Sequence, residues 1–231
     1  MLKFSIIVPA FNEEKLLFQG LESLVNLDYG KKDYEVILVN NNSTDKTRDI
    51  ALSFPFVKVL DEPKQGHVFA LICGTKQACG EILVFTDADT VVPRDWLKNY
   101  EGAYEDPGVV CAGGGAIMFP RSLKVRAAEK TVNLIASKIK YFPGFNLSIR
   151  RKVYEKIGGF DPKVNFDQDF FLVLRAKKLG RSVLVKNNEV KTSSRRYKDY
   201  RAAVYIAKSL VNITSLFVFK KSIFFEFGNI R

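Results

Sequence analysis

The sequence predicts an α/β fold, a mostly parallel central sheet flanked by helices, and three observations point to it. Short apolar runs bounded by polar residues read as buried parallel strands: Phe4 to Val8, Tyr34 to Val39, Val57 to Leu60 and Ile82 to Phe85. Segments with apolar residues at helical spacing alternate with them. The connections have the usual short length. A β-α-β-α-β-α-β order over residues 4–89 implies helices on both faces and right-handed crossovers.

The first strand is ended by Pro9, and Pro9-Ala10-Phe11-Asn12-Glu13-Glu14 forms a loop. Asn12 is a plausible helix cap, with the glutamates favourable in the first turn. Leu16, Leu17, Leu21, Leu24 and Val25 then mark a helix. The second strand closes on Asn40-Asn41-Asn42-Ser43-Thr44-Asp45, where Ser43 or Thr44 can cap a helix from Lys46 to Phe54. After the third strand, Gln65-Gly66-His67 starts a helix through Ala78, stopped by Gly80. The fourth strand ends in Thr86-Asp87-Ala88-Asp89.

Ligands of open α/β sheets bind beyond the carboxyl ends of the strands. Pro9 to Asn12, Asn40 to Asn42 and Asp87 to Asp89 are therefore expected to converge on one nucleotide site. Two close carboxylates repel, and Mg²⁺ or Mn²⁺ relieves this by taking one or two carboxylates plus substrate phosphates. An isolated Asp-x-Asp is equally an acidic turn, so the weight rests on the neighbouring segments.

Beyond Pro93 the pattern changes. A helix is expected over Asp95 to Tyr104. Val109 to Ala112 and Ala116 to Phe119 read as strands around Gly113-Gly114-Gly115, a close backbone approach. Residues 122–140 read as a basic helix. Asp167-Gln168-Asp169 opens a helix whose apolar face is Phe171, Leu172, Leu174, Ala176 and Leu179. A strand from Ser182 to Val185 precedes a basic loop around Arg195 and Arg196, residues suited to bidentate phosphate contacts or simply to a solvated surface. Within 201–227, aromatic and aliphatic residues mix with Arg201, Lys208, Lys220 and Lys221. That mixture suits either an interfacial helix or one packed on the core or a second subunit.

Composition agrees with a folded protein: 231 residues, 47% apolar and 26% charged. The excess of 36 Lys+Arg over 25 Asp+Glu, net +11, favours an anionic partner. Cys73, Cys79 and Cys111 lack metal-type pairing and read as reduced core residues, and one histidine, His67, argues against zinc. His67 reads as packing or polar lining, and Trp96 as core or acceptor lining. No signal peptide and no run of about 18 uncharged apolar residues is expected, so a cytoplasmic location is anticipated.

Several segments in order resemble family 2 glycosyltransferases. Ser5-Ile6-Ile7-Val8-Pro9-Ala10-Phe11-Asn12-Glu13-Glu14 resembles their opening strand and loop, and Val39-Asn40-Asn41-Asn42-Ser43-Thr44-Asp45 their Val-Asp-Asp-Gly-Ser-Thr-Asp segment. Gly80 to Asp89 resembles the strand carrying their metal-binding Asp-x-Asp. Gly144 to Arg150 with Gly158-Gly159-Phe160-Asp161 resembles the acceptor side, and Gln168-Asp169-Phe170-Phe171-Leu172-Val173-Leu174-Arg175 resembles Glu-Asp-x-x-Leu-x-x-Arg. The resemblance implies a GT-A fold with a Rossmann-like N-terminal half. It implies inverting, metal-dependent transfer of a sugar from a nucleotide-diphosphate donor, a UDP- or GDP-sugar. It places metal binding on Asp87 and Asp89, nucleotide contacts on Pro9, Asn12, Glu13, Asn40 and Asn42, and the base on Asp169, with Asp167 as an alternative. Leu71 and Ile72 depart from an Arg-Asn pair common in the family, and Gln168 replaces its glutamate.

The expected organisation is a catalytic domain over 1–200, with a nucleotide-sugar half (1–92) and an acceptor half (93–200), then an amphipathic helical tail (201–231). The acceptor is expected to be a glycan or lipid-linked, with peripheral contact to the inner membrane face through 201–227 and self-association left open. No nucleic acid is expected. Two other readings stand beside this one. Asp87-Ala88-Asp89-Thr90-Val91 also looks like the nucleophile motif of haloacid-dehalogenase-type phosphatases, although three strands precede it where that motif lies on the first. The charge would also suit a basic RNA-binding module, which needs no metal and binds with a steep salt dependence.

Overall fold

Alternate residues of β1 (Phe4–Ala10) enter two separate cores, as the two-residue strand period requires. Phe4, Ile6 and Val8 pack with Leu17, Leu21 and Leu24 of α1 (Leu17–Val25) and with Trp96 and Tyr100 of α4 (Trp96–Tyr104). Ile7 packs on the other face with Val68 and Leu71 of α3 (His67–Gln77) and Leu172 and Val173 of α7 (Gln168–Ala176). The sheet is therefore covered on both faces, which is why its strands read as unbroken apolar runs. This computed structural model describes residues 2–164, 167–195, 211 and 215.

The remaining elements are β2 (Tyr34–Asn40), α2 (Thr47–Leu52), β3 (Val57–Asp61), β4 (Ile82–Phe85), β5 (Thr90–Val91), β6 (Val109–Gly113), β7 (Ala116–Phe119), α5 (Leu123–Ile139), β8 (Leu147–Arg150), α6 (Arg151–Lys156), β9 (Arg181–Leu184) and β10 (Val190–Ser193). Among the described residues the main sheet has the order β3-β2-β1-β4-β8-β6-β9, and a smaller sheet has the order β5-β10-β7. β1 to β4 are parallel, β8 runs antiparallel to both β4 and β6, and β6 and β9 are parallel. The chain builds outward from β1 through β2 to β3 and then crosses back to place β4 on the other side of β1. That reversal creates a crevice between the ends of β1 and β4, where doubly wound sheets bind ligands.

Pro9 explains part of the crevice. Ile7 O accepts from Thr86 N, so Ile7 faces β4. Pro9, two residues on, faces the same side, but the pairing of β4 with β1 stops at Ile7↔Phe85. A residue without an N–H is tolerated there because no strand remains to receive one.

The structure corrects several local expectations. Asn12 does not cap a helix: it lies at φ 53, and α1 begins only at Leu17 without a side-chain cap. Ser43 and Thr44 do not cap α2. Asp45 does that work, its carboxylate accepting from Thr47 N (2.9 Å). α3 ends at Gln77 without Gly80, whose place is dictated instead by β1: a Cβ there would strike the backbone of Phe4 and Ser5. Leu179 lies beyond α7 and is exposed, so the helix buries Leu172 and Ala176 of the expected face together with Val173. Cys79 is exposed, unlike Cys111. The flanks of the triple glycine do not pair with each other, since β6 joins the large sheet and β7 the small one. Gly114 does permit a close approach, because a Cβ would meet Asn146 and the Asn188 carbonyl. Val190 to Ser193, where no strand is expected from the sequence, is one paired with both β5 and β7. Arg196 and the tail expected over 201–231 lie outside the described residues, apart from Val211 and Ser215. Among the described residues no helix is long and apolar enough to cross a membrane.

Candidate active site

The parallel register brings Ala10, Asn40 and Asp61 level at one rim, through Ala10↔Asn40 and Asn40↔Asp61. The loops after β1 and β2 are laced together there. Asn12 N donates to Ser43 Oγ (3.0 Å), and Asn12 Oδ1 accepts from Thr44 N (2.8 Å). Glu13 N donates to Thr47 Oγ1 (2.6 Å) and Glu14 N to Asp45 Oδ2 (3.1 Å). Asn12 and Asn42, at φ 53 and φ 62, both adopt the left-handed region that asparagine tolerates. Asn42 does so where the resembled motif has glycine, and its Nδ2 reaches Pro63 O (2.6 Å).

Asn40 Nδ2 donates to Asp61 Oδ1 (2.9 Å), and Arg48 Nε contacts both Asp61 oxygens (3.1 Å each). The hydrogen bond from Asn40, then Arg48, holds the Asp61 carboxyl below its ordinary pKa. Asp61 was missed in the sequence, yet it was findable: the strand-end argument applied to β1, β2 and β4 applies equally to β3. It returns to the rim the negative charge that Asn40 lacks.

At the end of β4, Asp87 and Asp89 are both half-buried. Asp89 Oδ2 accepts from Arg195 Nη2 (2.7 Å), and the same nitrogen contacts Glu13 at 2.9 and 2.8 Å. Burial works against the charge on Arg195, but Glu13 and Asp89 outweigh it and hold its pKa above the ordinary value. The basic loop therefore does reach the rim, and Arg195 bridges the carboxylates of the β1 and β4 loops.

Asp87 faces a different neighbour. His67 Nε2 lies 3.8 Å from Asp87 Oδ1, while His67 Nδ1 contacts Gln168 Nε2. His67 thus spans the Asp87 and Asp169 sides of the crevice. Asp169 Oδ2 accepts from Gly144 N (2.7 Å) and Oδ1 from Phe170 N (2.9 Å). Burial raises the Asp169 pKa, opposed by these bonds, a contact from Tyr141 and the field of His67. Asp167, by contrast, is buried at φ 55 at the start of α7. Arg175 Nη1 donates to Ile157 O (3.0 Å) and its Nη2 reaches Gly159 O, so the last residue of that motif anchors the Gly158-Gly159 turn.

Two buried oxygens beside these carboxylates, Thr86 Oγ1 and Gln168 Oε1, have no hydrogen-bond partner among the described residues. No group of three or more His, Cys, Asp or Glu is arranged to hold a metal among the described residues. The donor set still suits Mg²⁺ or Mn²⁺ completed by substrate phosphates, since two carboxylates are what such sites take from the protein. The guanidinium on Asp89 shows that the spot accepts positive charge. Trp96 is core: fully buried, with Nε1 donating to Asn146 Oδ1 (3.0 Å).

The sequence pattern of the family described as "Glycosyl transferase family 2" matches residues 5–158. A probable glycosyltransferase of Bacillus subtilis (strain 168), YdaM, is 34% identical over 200 residues, covering 77% of this chain and 47% of that protein. A Methanococcus voltae protein named as a dolichyl N-acetyl-alpha-D-glucosaminyl phosphate 3-beta-D-2,3-diacetamido-2,3-dideoxy-beta-D-glucuronosyltransferase is 35% identical over 121 residues, covering 48% and 38%. The chain thus spans about half or less of the length of these two relatives. Among solved structures, the mannosyltransferase PcManGT from Pyrobaculum calidifontis, in complex with GDP-Man and Mn²⁺, aligns with TM-score 0.74 and 26% identity over 90% of this chain and 62% of that one. Staphylococcus aureus TarS 1–349 in complex with UDP-GlcNAc aligns with TM-score 0.70 over 93% and 67%; at 20% identity this likeness is one of fold.

Proposed function

The chain belongs to glycosyl transferase family 2, and from that premise we propose that the β1–β4 crevice moves a sugar from a nucleoside-diphosphate donor to an acceptor hydroxyl, with inversion. The observation that carries this reading is His67, which bridges Asp87 at the end of β4 and Gln168, the neighbour of Asp169. On this reading the donor-side and acceptor-side carboxylates share one crevice. The phosphatase reading loses support, since β4 is the fourth strand of the sheet and the family match covers it.

Asn40, Asp61 and Asn42 line the rim where the nucleoside would lie, with Pro9 and Asn12 forming the crevice wall. Asp87 and Asp89 would hold a divalent cation, which when bound supplies charge to stabilise the departing diphosphate. Arg195, released from Asp89, would turn its guanidinium to the diphosphate, and Arg196 is proposed to assist it. Asp169 takes the acceptor proton. The acceptor oxygen then bonds to the anomeric carbon as the bond to the diphosphate oxygen breaks, and the electron pair leaves with the nucleoside diphosphate. A carboxylate offers about four lone-pair sites, so the three donors on Asp169 position it without exhausting it.

Residues 1–92 are proposed as the donor half and 93–200 as the acceptor half. PcManGT, bound to GDP-Man and Mn²⁺, and TarS, bound to UDP-GlcNAc, support a GDP- or UDP-sugar donor. The dolichyl phosphate named for the M. voltae relative supports a lipid-linked acceptor, with the 201–227 tail proposed to contact the membrane. Incubation with UDP- and GDP-sugars and Mn²⁺, reading release of nucleoside diphosphate, tests the proposal. One donor class should be consumed, and Asp169→Asn should bind donor yet lose transfer. Turnover of an aryl phosphate abolished by Asp87→Asn, with no sugar nucleotide consumed, would show a phosphatase instead.

A further inference from the structure

Of the 17 residues in α5, only Val125 and Ala136 are buried. Its inner face is fastened by hydrogen bonds. Asn133 Oδ1 accepts from Ala116 N (2.8 Å) and Asn133 Nδ2 donates to Ala116 O (2.9 Å), while Glu129 Oε2 accepts from Met118 N (2.8 Å). These side chains close the outer edge of β7, an edge strand of the small sheet.

The outer face is different. Leu123 is 84% and Leu134 55% exposed. Eleven residues apart, they lie on one line of the helix, with exposed Ala127 between them. Phe119, just before the helix, and Ile139, at its end, are exposed as well. Half of the exposed large hydrophobic side chains among the described residues fall between 119 and 139. Scattered singly they would need no explanation. Here Lys124 and Lys138 flank the line on one side and Arg126 and Lys130 on the other. The sole carboxylate between 121 and 140, Glu129, is turned to Arg121 and the β7 edge.

We propose that α5 lies flat on an anionic phospholipid surface, its leucines in the acyl boundary and its cations among the headgroups. Apolar side chains rimmed by Lys and Arg are the composition of interfacial helices, and the absence of an outward carboxylate gives the charge complementarity an anionic leaflet needs. The placement serves the proposed reaction. α5 ends at Ile139, and the chain then runs through Tyr141 to Gly144, both of which contact Asp169. A membrane under α5 would bring a lipid-borne hydroxyl beside the proposed base. Membrane docking itself does not depend on transfer being the activity.

The test uses the full chain sedimented with phosphatidylcholine vesicles, with or without about 30% phosphatidylglycerol. Wild type should bind the anionic vesicles and leave the neutral ones. L123E/L134E and K124Q/K130Q/K138Q, all at exposed positions, should each lower binding about tenfold while keeping the wild-type melting temperature and response to nucleoside diphosphate with Mn²⁺. Undiminished binding by either variant would overturn the proposal. Failure of wild type to bind would also overturn it, as would a change from dimer to monomer in L123E/L134E without vesicle binding, which would make the face a contact between copies. Loss of the nucleotide response in wild type would instead count against the transferase reading alone.

Discussion

Asp169 is held by two backbone N–H groups and Tyr141 while burial pushes its pKa above the ordinary carboxylate value. A carboxyl raised in this way favours its neutral form in the fold. Its contribution to stability is present at low pH and is lost as pH rises from the unfolded value through the folded one. Melting temperatures of wild type and Asp169→Asn should therefore diverge in favour of the variant as pH rises above the ordinary carboxylate range. A difference that stays constant would show that the carboxyl is not raised. If Asp169 is the base, the acid limb of transfer should also lie above the ordinary carboxylate range. At this scale the acidic motifs were legible, because a short apolar run ending in Asp-x-Asp states both a strand and its rim. Their partners were not legible. Nothing local in the sequence joins Arg195 to Glu13 and Asp89, or His67 to Gln168, since those contacts exist only once distant strands are in register.

The four parallel strands and their helices were readable because burial on both faces gives continuous apolar runs and helical spacing. β8 and β10 were not: Leu-Ser-Ile-Arg and Val-Lys-Thr-Ser carry no continuous apolar run, and what defines each is the strand beside it. β8 inserts antiparallel between β4 and β6, and the residue before it, Asn146, ties this half of the molecule together. Asn146 Oδ1 accepts from Trp96 Nε1 (3.0 Å) and Tyr100 Oη (2.6 Å), and Nδ2 donates to Gly115 O (2.9 Å) and Asn188 O (2.7 Å). Every hydrogen-bonding position of this fully buried amide is used. Asn146→Leu strands an indole N–H, a phenol and the Asn188 carbonyl at similar volume, while Gly115 O keeps its bond from Val190 N (3.2 Å), and should cost about 3 kcal/mol. In a chain of this size that lowers the melting temperature by roughly 10 °C. A loss under about 1 kcal/mol would mean that water or rearrangement satisfies those groups.

For the molecule as a whole, the reversal of strand order at β1 explains why segments far apart in sequence meet, and the excess of 11 positive charges suits a ligand carrying a diphosphate. The central claim is that Asp87 and Asp89 form a cation-assisted seat for a nucleoside diphosphate. The most direct measurement is the melting temperature with UDP or GDP, with and without Mn²⁺, for wild type and Asp89→Ala. At ligand about 100-fold above Kd, binding stabilises by about 2.7 kcal/mol, which is roughly 5–10 °C here. The account predicts that rise in wild type only when nucleotide and Mn²⁺ are both present, and its absence in Asp89→Ala. An equal rise in the variant, or a full rise without the metal, would contradict it.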